Sequence, residues 1–466
     1  MVTLLLLLVP AAAALAAFLS RSEKFSRWIL MITAAAHAVL CGLMPTYHET
    51  LHPGGNIYLA LDSDGLVILC ITSALFLLTS LYITFWMPLD SKRNDGHAEM
   101  KTPAFTAFLL LFLFTMTLTA LAQDFGMLWV AVEATTLSSA PLINYHRSKT
   151  SLEAMWKYLL ICSIGIGLAL FGTMLIAASL NDPHTGLSFE TLRLCGISGL
   201  FDPVYFRTGF VLCFAGYALK VGLAPFHTWL PDAHSEAPAP VSALLSGSLL
   251  NCALLAIIRL WHVTPEAMQS FCGNFLKFSG FLSLAVAALF IIRQKDFKRM
   301  LAYSSVEHMG LIILLTAYGM ENIGMLHAVA HSLTKMALFL TAGNILLCYR
   351  TRSIAAVKGI FDRIPLNAAV WIFGMLMICG TPPSPLFFTE LALVTSAGFI
   401  PGAVVLLLLL VIFCAMSQLM LGMCAHGPEK PVVDKEVEKL TDVPVLAMLL
   451  VALLGTAIGV SWIIAG

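Results

Sequence analysis

The sequence predicts an all-α membrane protein of about fourteen transmembrane helices, two of them broken by proline. Three observations predict it. Of 466 residues, 59% are hydrophobic and only 11% charged, against about 25% charged in an ordinary soluble domain. The apolar residues gather into runs of roughly 20, the length that crosses a bilayer. Lys and Arg collect in alternate loops, as they do in a chain that threads a membrane back and forth.

The runs fall near 2–19, 28–44, 63–87, 104–122, 125–145, 157–180, 207–230, 240–262, 272–293, 299–318, 323–348, 365–399 (the broken one nearest the end), 401–424 and 443–465. The first resembles a secretion signal, but no basic residue precedes it, and Arg21, Lys24 and Arg27 follow it. That order suits a retained span with the N-terminus outside. Loops on the inner side then carry most of the 26 basic residues: Lys92, Arg93 and Lys101; Arg147, Lys149 and Lys157; Arg293, Lys295, Lys298 and Arg299; Arg350, Arg352, Lys358 and Arg363; Lys430, Lys435 and Lys439. The opposite loops hold Arg193 and Arg207 with Asp62, Asp182, Glu190 and Asp202. A miscounted span would scramble this pattern, so it points to the inner membrane with both termini outside. Arg259 and Lys277 fall near outer helix ends, where long side chains can snorkel. Lys220 and Lys335 have no loop to belong to.

Several functions are excluded. Acidic and basic residues both number 26, so the net charge is zero, and no basic patch interleaved with aromatics offers nucleic acid a surface. The eleven Cys are scattered without a CxxC pair, which removes support for a disulfide frame, a metal site or an iron–sulfur cluster. No GxGxxG or phosphate loop is present. The largest loops, 181–206 and 425–442, are too short to fold alone or hold a nucleotide. The chain is therefore expected to carry no cofactor and to do no redox chemistry by itself.

The informative residues are charges inside the apolar runs. A charge at mid-bilayer costs about 2.5–3.5 kcal/mol on insertion scales and usually faces the protein interior along a pathway. Glu133 lies deep in GMLWVAVEATTLSSAPL. Lys220 precedes Pro225, Pro231, Pro238 and Pro240, so its helix is expected to break, and irregular backbone at membrane depth is tolerated where it lines a wet cavity. Glu390 follows a second break at Gly380, Pro382, Pro383 and Pro385. His327, His331 and Lys335 stand at i, i+4 and i+8, which stacks them on one helix face as a proton wire. Two His alone complete no metal site. Glu307 and His308 lie nearer a helix end and are secondary candidates. Asp232, His234 and Glu236, beyond the first break, are candidates for an entrance from the cytoplasm. His37, alone in its span, reads as a packed polar residue.

Glu133 to Lys220 and Glu307 to Glu390 are nearly equal separations. With paired broken helices, this suggests two five-helix repeats, 104–262 and 272–424, flanked by helices over 1–103 and a last loop and helix over 425–466. An odd number of spans separates corresponding helices, so the repeats would be inverted.

The segments WVAVEATTLSS, LKVGLAPFHTWLPDAHSEAP, DFKRMLAYSSVEHMG, HAVAHSLTKMALFL and GTPPSPLFFTE together resemble the antiporter-like proton-translocating subunits of respiratory complex I, Mrp-type cation/proton antiporters and membrane-bound [NiFe] hydrogenases. The resemblance covers roughly residues 60–425, and YSSVEHMG with HSLTKMALFLTAGNI look most like the hydrogenase-4 and formate hydrogenlyase branch. It implies that Glu133 and Lys220 form an ion pair and that Lys335 and Glu390 carry the second half of the path. One departure stands out: where complex I members often carry a Lys or His on the eighth helix, this chain has Asn251. Any link there would run through water, Ser246, Ser248 or the His pair. The resemblance implies other membrane and peripheral subunits as partners. It leaves open a Na⁺/H⁺ antiporter subunit, a complex I subunit, and a scaffold that conducts nothing.

Overall fold

Short polar side chains and prolines set the helix ends of this chain, because an apolar helix carries no stop signal of its own. The computed structural model describes residues 2–47, 58–93, 99–180, 186–425 and 433–465; Asp182 and Lys430 lie outside them. In chain order the helices are α1 Val2–Leu19, α2 Glu23–Tyr47, α3 Ser63–Arg93, α4 Thr102–Leu121, α5 Phe125–Ile143, α6 Lys149–Ala178, α7 Phe189–Ile197, α8 Pro203–Val221, α9 Trp229–Glu236, α10 Ala239–Leu244, α11 Leu250–Val263, α12 Glu266–Ile291, α13 Phe297–Ala317, α14 Glu321–Tyr349, α15 Ile360–Arg363, α16 Pro365–Ile378, α17 Pro385–Ser396, α18 Phe399–Cys424, α19 Lys435–Glu438 and α20 Asp442–Ala465. Among the described residues, 13 helices are long and apolar enough to cross a membrane, and two shorter apolar helices, α16 and α17, flank the break at Gly380–Ser384. The elements are helices throughout, as hydrocarbon demands of a spanning backbone.

Asp124 starts α5 by accepting from the N–H groups of Gly126 and Met127, at 2.8 and 3.3 Å. Asp202 does the same for α8, with Pro203 in the first turn, and Asp296 for α13. Ser384 caps α17 ahead of Pro385. Each satisfies donors that a helix start leaves bare.

The helices differ from the sequence reading at several points. The span expected over 207–230 stops at Val221, because Gly222 takes a left-handed conformation (φ 80°) and closes the helix one residue after Val221. The span over 240–262 contains a π-helical turn, Leu245–Leu249, between α10 and α11. The loop over 181–206 holds the short helix α7. Arg259 does not snorkel: it is 2% exposed and bonded inside the protein.

Two compact units form. The first comprises Met1–Leu77, Glu99–Trp229 and Ser248–Phe278. Its α6 and α8 lie so close that Gly165 and Gly172 of one face Gly216 and Gly209 of the other; a Cβ on Gly172 would sit 2.6 Å from the Cys213 N–H nitrogen. Small residues two turns apart on both helices are what permits backbones to approach this closely. One end of this unit is tied by Arg259, which donates to both Asp62 oxygens (3.2 and 2.8 Å) and to the carbonyls of Thr119 and Ala120. The second unit comprises Leu78–Ala98, Leu230–Gly247 and Ser279–Gly466. Here α14 is the central element, packed by α10, α13, α16, α17 and α20.

Burial works against the Asp62 carboxylate, but the Arg259 guanidinium and the Gly65 N–H outweigh it and hold the carboxyl below its usual range. A depressed carboxylate contributes stability that is full above its ordinary pKa of about 3.9 and lost as pH falls through the folded value. Arg259→Met leaves Asp62 and two carbonyls without their cation, and is expected to lower stability by about 3 kcal/mol near neutral pH. Thermal unfolding of the detergent-solubilised chain at pH 7 and pH 3 checks this. The difference between wild type and variant should shrink at the lower pH.

Candidate functional site

In the first unit, Lys220 is fully buried in the last turn of α8. The α6–α8 contact brings it against Tyr158, and α5 lies on its other side. Its ammonium donates to Thr136 Oγ1 at 2.7 Å and to Tyr158 Oη at 2.8 Å, and sits 4.8 Å from the centre of the Tyr158 ring. Tyr158 Oη is 2.7 Å from Ser139 Oγ, which donates to the Thr135 carbonyl. Thr136 Oγ1 donates to Glu133 Oε2 at 3.3 Å, and Ser163 Oγ to Glu133 Oε1 at 2.7 Å. The expected direct ion pair is therefore replaced by a hydroxyl bridge. Thr136 stands one turn beyond Glu133 on α5, so its hydroxyl occupies the space between the two charges. Glu133 is half-buried rather than enclosed. Its lateral neighbours one turn either way, Val130 and Leu137, are 49% and 58% exposed.

In the second unit, Lys335 is fully buried on α14 and donates to the Leu301 carbonyl at 2.6 Å and to Ser304 Oγ, both on α13. Glu307, one turn past Ser304 and also buried, is its electrostatic partner. Ser305, beside Ser304, meets Ser246 Oγ at 2.8 Å. Ser246 lies in the π-helical turn, a local irregularity that frequently marks functional positions. His308 joins His327 and His331: its Nδ1 lies 2.9 Å from His327 Nε2, and its ring centre 4.9 Å from that of His331. His327 Nδ1 lies 2.8 Å from Thr389 Oγ1 on α17. Glu390 follows Thr389; it is buried, its Oε1 has no hydrogen-bond partner among the described residues, and its carboxylate packs against Gly380, which takes φ +63°. Cys379, the residue before Gly380, interacts electrostatically with Glu307, Lys335 and Glu390.

The three entrance candidates divide. Asp232 pairs with Arg299 at 2.9 Å and Glu236 with Arg352 at 2.7 Å. Lys298 is buried and donates to the carbonyls of Ser235 and Ala237, the end of α9. His234 instead points inward: fully buried, stacked on Phe339 at 4.9 Å, within electrostatic reach of Lys298 and Lys335, and without a hydrogen bond on either ring nitrogen among the described residues. Asn251 and Ser248 are buried near the start of α11. His37 is held by Ser73 and Thr117 at 3.0 and 2.9 Å.

Sequence reasoning passed over Thr136, Tyr158, Ser139, Ser163, Ser304, Thr389 and Cys379. Hydroxyls are common in apolar helices, and only their side-chain directions distinguish a ligand of Lys from a back-bonded Thr.

This combination of hydroxyl-bridged Lys and acid beside one helix break, and Lys, His and acids beside another, lies within the stretch matched by a family model. That model, described as NADH:quinone oxidoreductase/Mrp antiporter, TM, matches residues 122–417. The chain belongs to this family. Every sequence-selected site residue from Glu133 to Glu390 lies inside the matched region. The chain is 35% identical over 388 residues to the "Hydrogenase-4 component F homolog" of Methylacidiphilum infernorum (isolate V4), covering 79% of this chain and 81% of that one. It is 27% identical to "Hydrogenase-4 component B" of Escherichia coli (strain K12), covering 88% of this chain and 63% of that longer one. Its fold is shared with a subunit of the membrane-bound sulfane sulfur reductase, an archaeal respiratory membrane complex, at TM-score 0.85 and 22% identity over 99% of this chain and 95% of that one. As in other members of the antiporter family, the chain is a multi-pass membrane subunit.

Thr136→Val keeps the side-chain shape but takes one partner from a buried ammonium, an expected loss of about 1–3 kcal/mol. Thr136→Ser should restore most of it. Thermal unfolding of the two variants beside wild type checks both.

Proposed function

We propose that this chain is the proton-translocating, antiporter-like membrane subunit of an energy-converting redox assembly of the membrane-bound hydrogenase type. The observation that carries this is the burial of Lys220 and Lys335, each beside a proline-marked helix break and each within one or two hydrogen bonds of an acid or its electrostatic field. Ions are retained at such depth where charge must move. Partner subunits are supported by Glu133: a half-buried carboxylate flanked by exposed Val130 and Leu137 belongs against protein, not lipid. That face is where a neighbouring membrane subunit can act on it.

The mechanism follows. A conformational change driven by redox chemistry in a partner draws Glu133 away from the Thr136 hydroxyl. Lys220 then loses the negative charge that favours its protonated form and releases its proton. Lys335 and the His331, His308 and His327 rings carry the proton onward, and Glu390 exchanges with one side of the membrane. His234 serves Lys335 from the other side. The parallel placing of Glu133 with Lys220 and Glu307 with Glu390 supports inverted repeats over 104–262 and 272–424. The alternating Lys and Arg loops support placement in the inner membrane with both termini outside. The chain contributes no cofactor of its own; redox chemistry belongs to the partners.

Asn251 favours a second reading, a hydrogenase scaffold that conducts nothing, because an amide cannot hold a proton as charge. Glu133→Gln and Lys220→Met are expected to leave assembly intact and to reduce redox-driven proton movement at least tenfold. Acidification of sealed vesicles by the assembled complex reads this. Undiminished acidification by both variants would overturn the proposal in favour of the scaffold. A pH gradient that appears only with Na⁺ present would move the chain to the cation/proton antiporters.

A further inference from the structure

The hydrogen bond between His308 and His327 has a direction, and that direction is fixed from one end. Thr389 Oγ1 lies 2.8 Å from the carbonyl oxygen of Leu386, one turn back on α17, and donates to it. A hydroxyl has one proton. With it committed to Leu386, Thr389 Oγ1 can only accept from His327 Nδ1, 2.8 Å away. Neutral His327 therefore carries its proton on Nδ1 and offers a lone pair at Nε2. That lone pair faces His308 Nδ1 at 2.9 Å, so His308 must donate from Nδ1. Neutral His308 is then left with a lone pair on Nε2, a fully buried nitrogen with no hydrogen-bond partner among the described residues.

His37 shows the same device closed. Thr117 Oγ1 donates to the Leu113 carbonyl at 2.8 Å and so accepts from His37 Nε2, while Ser73 donates to Nδ1. Both nitrogens are used, so protonating that ring requires the Ser73 hydroxyl to turn. The His308–His327 pair differs in being open at one end only.

We infer that Thr389 sets the tautomer of the His308–His327 pair, making it a relay that takes up protons at His308 Nε2 and holds them until Thr389 releases Leu386. The step balances. A proton binds His308 Nε2, the buried nitrogen left with a lone pair. The Nδ1 proton of His308 moves to His327 Nε2, and the Nδ1 proton of His327 moves to Thr389 Oγ1. Once it turns from Leu386, Thr389 passes its own hydroxyl proton to the Glu390 carboxylate through a water; Glu390 Oε1 has no hydrogen-bond partner among the described residues. One proton enters and one leaves, and the pair is left in the reverse polarity until the hydroxyl resets. Thr389 is a positioning residue, acting through His327. The inference rests on the proton-relay reading above, but its direct test does not depend on transport.

Magic-angle-spinning NMR of the full chain in lipid nanodiscs, with isotope-labelled histidine, distinguishes the tautomers of each ring. His308→Gln and His327→Gln assign the signals by loss. Wild type is expected to show His327 protonated on Nδ1 and bare on Nε2. Thr389→Val, similar in shape but unable to accept, should lose that preference, and Thr389→Ser should keep it. In the assembled complex, acidification should fall several-fold in Thr389→Val and recover in Thr389→Ser. Wild-type His327 protonated on Nε2, or Thr389→Val with an unchanged tautomer, would overturn the inference. A complex that moves no protons while His327 shows the assigned tautomer would sink the relay reading and leave the tautomer assignment standing.

Discussion

An ammonium group buried in a hydrocarbon-embedded protein must be surrounded by oxygen atoms, and in this chain those oxygens are mostly uncharged. Moving an ion out of water costs several kcal/mol even after the protein relaxes, and a close counter-charge repays it only in good geometry. Lys220 is met by two hydroxyls and an aromatic face. Lys335 is met by a hydroxyl and a helical carbonyl. Their acids stand one step removed: Glu133 behind Thr136, and Glu307 in electrostatic rather than hydrogen-bonded contact. Such a cation is solvated without being locked, because hydroxyl dipoles can turn as charge moves whereas a tight ion pair would hold the proton fast.

The packing follows from this need. The interlocked Gly165, Gly172, Gly209 and Gly216 let α6 and α8 approach until Tyr158 reaches Lys220. Gly222 ends α8 one residue beyond Val221 and turns the chain into α9. In the second unit, Gly380 leaves room for the Glu390 carboxylate, and the Ser384 cap with Pro385 restarts the helix so that Thr389 faces His327. A helix break is costly in a bilayer. Here the residues around each break are also those that hold the ionisable groups.

Much of this was legible in the amino-acid sequence, and the reasons are physical. Apolar length marks a span, Lys and Arg mark loops, and proline marks a break; each acts locally, so each can be read along the chain. Glu133, Lys220, Lys335 and Glu390 announced themselves because acids and bases are rare in apolar runs. His308 and Glu307 looked like residues near a helix end, yet are buried, because α13 is enclosed along nearly its whole length. Arg259 was assigned to the interface for the same reason and instead binds Asp62. What could not be read were the directions of hydroxyls. Thr136, Ser304 and Thr389 are indistinguishable in sequence from Thr and Ser whose hydroxyls only bond back to their own helix, such as Thr316. The α6–α8 glycines did carry a signal, a repeat at two-turn spacing in both helices, that span counting alone does not use.

A buried Lys kept for function and not for folding should be dispensable to the fold. Replacing a buried ion together with its counter-charge by neutral side chains is often neutral or stabilising, whereas removing one partner alone strands the other. The most direct measurement is therefore a paired one on Lys335→Met combined with Glu307→Gln, which removes both charges: thermal unfolding of the purified chain, and redox-driven acidification by vesicles containing the assembled complex. Unchanged or raised thermal stability together with abolished proton movement is the result expected. Proton movement at the wild-type rate, with stability lost, would make Lys335 and Glu307 a structural tie and contradict the central claim.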